Sequence, residues 1–128
     1  MSYLLFNNAG ILGSVASIDL NSTADQSISI NSSKYVIRGI LVTNASADMT
    51  LSIAAGGVYT AVSKGGVAVV SAAQLYTPLS TSDKYSEITL AGIVGTDVRT
   101  ETTLYFSLTT AHGSAATADI FIIGDKLD

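Results

Sequence analysis

Apolar and polar residues alternate along much of this chain with a period of two, the repeat of a strand half-buried in a sheet. Gln26 to Ser32 puts Ile28 and Ile30 on one face and Ser27, Ser29 and Asn31 on the other. Val15 to Leu20 sets Ala16, Ile18 and Leu20 against Val15, Ser17 and Asp19. From Lys34 to Thr43 both faces are apolar, with Tyr35, Ile37 and Leu41 opposite Val36, Ile40 and Val42. Such a segment is a central strand, or a strand with one face turned to a partner. Asn44 to Asp48 reads as a turn. Met49, Leu51 and Ile53 then alternate with Thr50 and Ser52, which predicts a strand broken by Gly56-Gly57. Val58 to Ser63 and Val67 to Ser71 flank Lys64-Gly65-Gly66, a hairpin signal because glycine tolerates positive φ. Pro78 bars a central strand between residues 72 and 79. Glu87 to Val94, Thr102 to Thr110 and Ala118 to Ile123 complete the set. Leu104, Phe106 and Leu108 face one way, and Ile120 and Ile122 oppose Phe121 and Ile123.

Short strands with turn signals about every 8–15 residues, and no convincing amphipathic helix, predict an all-β fold: an antiparallel, jelly-roll-like β-sandwich of about 8–9 strands. The expected boundaries are an N-terminal arm or first strand over 1–13, the sandwich over 14–124 and a polar tail over 125–128.

Composition narrows the function. The 128 residues include no Cys, no Trp, one His and one Pro, and only 12% are charged. Without Cys, disulfides, thiolate zinc sites and cysteine nucleophiles are excluded. A net charge of −4, with Lys34, Arg38, Lys64, Lys84, Arg99 and Lys126 scattered, excludes a nucleic-acid footprint of clustered bases. No uncharged apolar run is long enough to span a membrane as a helix. Met1 to Val15 lacks a basic n-region, so no secretory signal is expected. Ser and Thr supply 31 residues. A chain this poor in charge is expected to have its surface covered by copies of itself or by a larger partner, since interspersed charge ordinarily keeps a surface soluble.

The chemistry-bearing residues read mostly as structure. His112 is the single imidazole, in a glycine-containing connection, and no G-x-S-x-G elbow accompanies it. Asp97, Arg99 and Glu101 have alternating spacing, but Arg99 neutralises any cation site. They are expected to form a solvated charge trio or an ion pair between subunits. Neither phosphate-loop pattern occurs. No catalytic residue, metal ligand or cofactor is expected. The tyrosines, several of them beside turns, suit interfaces, where the ring packs and the hydroxyl stays wet.

Tyr35-Val36-Ile37-Arg38-Gly39-Ile40-Leu41-Val42-Thr43-Asn44-Ala45-Ser46 runs into Ala54-Ala55-Gly56-Gly57-Val58-Tyr59-Thr60-Ala61. Leu104-Tyr105-Phe106-Ser107-Leu108-Thr109-Thr110-Ala111 and Ala115-Ala116-Thr117-Ala118-Asp119-Ile120 follow. In these phrases the chain resembles small virion structural proteins of tailed bacteriophages, of the capsid decoration (cement) kind, over about residues 34–124. The resemblance implies a non-enzymatic homotrimer, made in the bacterial cytoplasm, that binds the major capsid protein and stabilises the capsid from its outer surface. The alternatives are a tail, head–tail or fibre-tip module, or a trimeric ligand-binding jelly roll of TNF-like or lectin-like type. Capsid contact is expected from Tyr3, Leu4, Leu5, Phe6, Ile11 and Leu12. Contact between copies is expected from Tyr35, Ile37, Tyr105 and His112.

Overall fold

A computed structural model describes residues 10–79, 85–93 and 96–128. These residues form nine strands and, among themselves, no helix. The strands are β1 (Gly10–Asp19), β2 (Gln26–Ser29), β3 (Tyr35–Thr43), β4 (Ala55–Ala61), β5 (Gly65–Val70), β6 (Tyr85–Ile88), β7 (Val98–Arg99), β8 (Thr103–Thr110) and β9 (Thr117–Lys126). One sheet has the order β1-β9-β3-β6, with the short β7 also paired to β3; the other has the order β2-β8-β4-β5. Every pairing is antiparallel. The pairs β1·β9, β2·β8, β3·β6 and β4·β5 nest inside one another, as if one long hairpin had been rolled up. That is the winding of a jelly roll. Most partners are far apart in sequence, so their register rests on which residues must face inward.

The inner faces meet in one core. Ile28, Leu104, Phe106, Val58 and Val70 come from one sheet; Leu12, Ile18, Ile37, Ile40, Val42, Ile120 and Ile122 come from the other. Each such side chain, fully buried, contributes about 1.5–3 kcal/mol relative to exposure. Tyr76, between β5 and β6, closes one part of this core. Its hydroxyl donates to the Gly56 carbonyl at 2.9 Å, and its ring meets Phe106 edge-on at 5.8 Å.

The strand expected from Met49 to Ile53 is a turn instead. The Thr50 amide donates to Asp48 Oδ1 at 2.9 Å, the Ser52 amide to the Met49 carbonyl at 3.0 Å and the Ala54 amide to Ser52 Oγ at 3.0 Å. Side chains that bond their own backbone in this way outcompete a ladder. Gly56-Gly57 does not break a strand; the pair lies inside β4. A Cβ at Gly56 would stand 2.3 Å from Leu108 Cα, and one at Gly57 would stand 2.0 Å from the Val70 carbonyl oxygen. The glycines are there so that neighbouring backbone can approach. The β4–β5 hairpin forms, but Ser63 (φ 58°) and Lys64 (φ 56°) take the left-handed positions at its tip.

Two bulges shift the expected alternation. At Ser17 (φ 59°) β1 slips between Val15 and Ile18, so Val15 packs inward and Ala16 is exposed. Asp119 Oδ1 accepts the Ser17 amide at 2.8 Å. At Arg38, β3 slips between Ile37 and Gly39. Tyr35 and Ile37 therefore share the inner face with Ile40 and Val42, and Leu41 turns outward. Gly13, the expected end of an arm, lies within β1, and Asp125 and Lys126 extend β9.

Candidate partner-contact surfaces

The residues expected to meet other chains fall into three groups. Tyr3, Leu4, Leu5 and Phe6 lie outside the described residues. Tyr35, Ile37 and Leu12 are fully buried, so they hold the core and cannot meet a partner. The Tyr35 hydroxyl donates to the Glu101 carbonyl at 2.8 Å; burial, with the Glu101 carboxylate beside it, pushes its phenol up to about 12. Ile11, half-buried Tyr105 and half-buried His112 remain accessible, on separate parts of the surface.

His112 lies between two loops. Its Nδ1 is 2.7 Å from Ser52 Oγ, and its amide donates to the Leu20 carbonyl at 2.9 Å. Ser52 Oγ also accepts the Ala54 amide at 3.0 Å, and its hydroxyl can complete the bond to Nδ1 with either ring tautomer. The pair ties the turn after Asp48 to the β8–β9 connection.

That turn carries the most exposed apolar side chains of the described surface. Leu51 is 95% exposed and Ile53 is 65% exposed. Met49, in the same turn, is fully buried and anchors it. Asp48 Oδ1 accepts both the amide and the hydroxyl of Thr50, and these bonds hold its carboxyl below the usual range. Leu51 is thus presented on hydrogen-bonded backbone rather than on a loose loop.

The outward face of β1, β9, β3 and β6 is a second apolar surface. Leu41 sits between Phe121 and Glu87 in register, and Ile123 sits between Ile11 and Gly39. Arg38, Gly39, Leu41, Glu87, Leu90 and Ile123 border a shallow groove of about 270 Å³. Arg38 Nε donates to Asp125 Oδ2 at 2.8 Å, and Glu87 is exposed. The sequence pattern allowed β3 a partner-facing side but assigned it to Tyr35 and Ile37 rather than Leu41, and named neither Phe121 nor Ile123. The signal for them was that β9, like β3, is apolar on both sides.

The charge trio resolves within one chain. Arg99 donates two hydrogen bonds to Glu101, at 3.0 and 2.7 Å. Burial alone would raise the Glu101 carboxyl, but the Arg99 bonds, the Arg99 charge and backbone amides together outweigh it and hold it below its usual range. Among the described residues no three acid or histidine side chains gather as a metal site. No protein-family model, curated protein or solved structure matches the chain.

Proposed function

We propose that this chain is a non-enzymatic structural protein of a phage virion, of the capsid-decoration kind, which binds the assembled head through the Leu51–Ile53 turn. The observation that carries the reading is the presentation of Leu51, an apolar side chain 95% exposed on a turn fixed by its own hydrogen bonds. A rigid apolar knob loses little conformational freedom when it is covered, so the burial energy goes into contact. The partner class, the major capsid protein on the virion surface, comes from the resemblance of residues 34–124 to decoration proteins. A protein that binds the assembled shell and not its dispersed subunits stabilises the shell by mass action. Repetition over many sites on one head multiplies weak contacts.

The test is co-sedimentation of the purified chain with heads of the phage or prophage that encodes it. The chain is expected to travel with the heads and to raise their dissociation temperature. Leu51→Asp should lose at least tenfold in head affinity and leave the melting temperature of the free chain unchanged, because exposed positions contribute within about 0.5 kcal/mol. Wild-type chain left in the supernatant at micromolar concentration overturns the proposal.

A further inference from the structure

We infer that the outward face of β1-β9-β3-β6 is covered by the same face of a second copy of this chain, related by a two-fold axis. This goes beyond the head-binding reading and does not rest on it, because it uses a different surface.

The face is apolar without a structural need for it. Ile11, Leu41, Phe121 and Ile123 point away from the core, on strands whose alternate residues already fill it. Ile11 is 54% exposed, and Tyr85, beside Thr43 at the β6 edge, is 62% exposed. Nothing in folding one chain requires apolar residues there. The groove at its centre opens over Gly39, which has no side chain to fill it: no atom lies within 4 Å of where a Gly39 Cβ would stand.

Charge bears on the partner as well. Arg38, held by Asp125 at 2.8 Å on the same face, and Glu87 both border the groove, and Glu87 stands in register with Leu41. They are therefore about three residues, or about 10 Å, apart along β3. An axis running across the strands near Ile40 reverses the strand direction in the second copy. It sets Glu87 of each chain over Arg38 of the other and leaves the apolar centres face to face. Glu87 then meets a guanidinium that Asp125 holds in place, and both copies make the same contact, as an isologous pair does.

Size sets the strength. The four strands have 10, 10, 9 and 4 residues. At about 3.3 Å per residue and about 4.8 Å between strands, the face covers about 500 Å². Two such faces bury at most about 1,000 Å², the lower bound for a specific interface. That area fits a dimer that dissociates in the micromolar range, with two-fold symmetry in place of the three-fold habit that the resemblance implies.

Sedimentation velocity of the full chain from 1 to 100 μM tests this. The expected result is a shift with concentration from 13.1 kDa to twice that mass. Leu41→Asp should hold the chain at one mass throughout. Glu87→Lys, at an exposed position that does not threaten folding, should raise the dissociation constant about tenfold by facing Arg38 with a like charge. It keeps the test decisive if Leu41→Asp fails to fold. A single-chain mass at 100 μM, a trimer, or a dimer indifferent to Glu87→Lys overturns the inference. Leu51→Asp should leave the dimer intact, so failure of head binding and failure of this inference are distinguishable.

Discussion

Ser27, Tyr105, Tyr59 and Ala68 stand in one cross-strand row on the outward face of β2-β8-β4-β5. The corresponding row on the other sheet is Ser14, Phe121, Leu41 and Glu87. Further along, the first face adds Ser29 beside Thr103 and Ser107 beside Gly57, whereas the second adds Ile11 beside Ile123. The inward rows of the two sheets do not differ in kind: Ile28 and Leu104 on one, Ile120 and Val42 on the other. A jelly roll needs only its inward rows to be apolar. Ser27, Ser29 and Thr103 outside one sheet, and Ile11, Leu41, Phe121 and Ile123 outside the other, therefore record what each face meets; Tyr59 and Ser107, in the first set, are covered by the chain itself.

The comparison assumes that both sheets depend equally on the shared core, and the largest expected effects test that assumption. Phe106→Ala removes a buried ring and its edge-on contact with Tyr76, and should cost about 3–5 kcal/mol. Ile122→Ala, from the opposite sheet, should cost about 2–5 kcal/mol. Urea melts read both. A cost below about 1 kcal/mol at either site would mean that one sheet is not closed on the core.

The outward faces should then separate. Phe121→Ser should raise the dimer dissociation constant by about tenfold or more, about 1.4 kcal/mol of lost apolar contact. Tyr105→Ser, an equally radical change on the hydroxyl-rich face, should leave association unchanged. Sedimentation of the two variants side by side measures the difference, and equal effects would erase the distinction between the faces.

How much of this was legible in the sequence depends on what competes with the period-two pattern. Gln26 to Ser32 reads correctly because nothing competes: Ile28 and Ile30 are buried, and Ser27, Ser29 and Asn31 are exposed. Met49 to Ile53 has the same alternation and is not a strand, because the Asp48 and Ser52 side chains satisfy the backbone locally. Gly56-Gly57 looks like punctuation, and only the close approach of Val70 and Leu108 shows why a strand needs it. In β3 the apolar composition of both faces was plain, but the bulge at Arg38 was not. It reversed which residues stay accessible, putting Tyr35 and Ile37 in the core and Leu41 outside. The sandwich follows from patterning summed over many strands, whereas a surface depends on a single-residue slip in one of them.

Tyr35 offers a smaller, pH-dependent probe of the same reversal. A tyrosine at an interface between copies would ionise near its ordinary value of about 10 once the copies separate. Buried Tyr35 is instead held protonated to about 12. Its raised value means that the native state keeps a proton the unfolded chain releases. The stability it contributes is complete below pH about 10 and is lost as pH rises from there toward about 12. Tyr35→Phe should remove that alkaline limb and cost about 1 kcal/mol at neutral pH through the lost bond to Glu101. An alkaline melting profile identical to wild type would place the phenol in water.

The smallest expected effect concerns a polar staple between the two sheets. Asp128 lies just beyond β9, yet its carboxylate reaches the β2–β3 connection. Oδ2 accepts the Ser33 amide at 2.9 Å and the Ser33 hydroxyl at 2.7 Å. Ser32 Oγ is 2.7 Å from Oδ1 and 2.8 Å from the Lys34 carbonyl, so its one proton serves one acceptor at a time. These donors, the Ser32 hydroxyl foremost, favour the ionised form and hold the carboxyl far below its ordinary value. A depressed native value means that the unfolded chain binds the proton first. The staple therefore contributes fully above about pH 4 and is lost as pH falls below it. The group is exposed, so water screens it and the contribution is slight. Asp128→Asn should lower the melting temperature a little at pH 7 and approach wild type as pH falls toward 2, where the unfolded wild-type chain takes up the proton. Parallel melting curves from pH 7 to pH 2 would mean that the charge does no stapling, and that this end is held by the neutral bonds alone, the Asn31 amide to the Leu12 carbonyl among them.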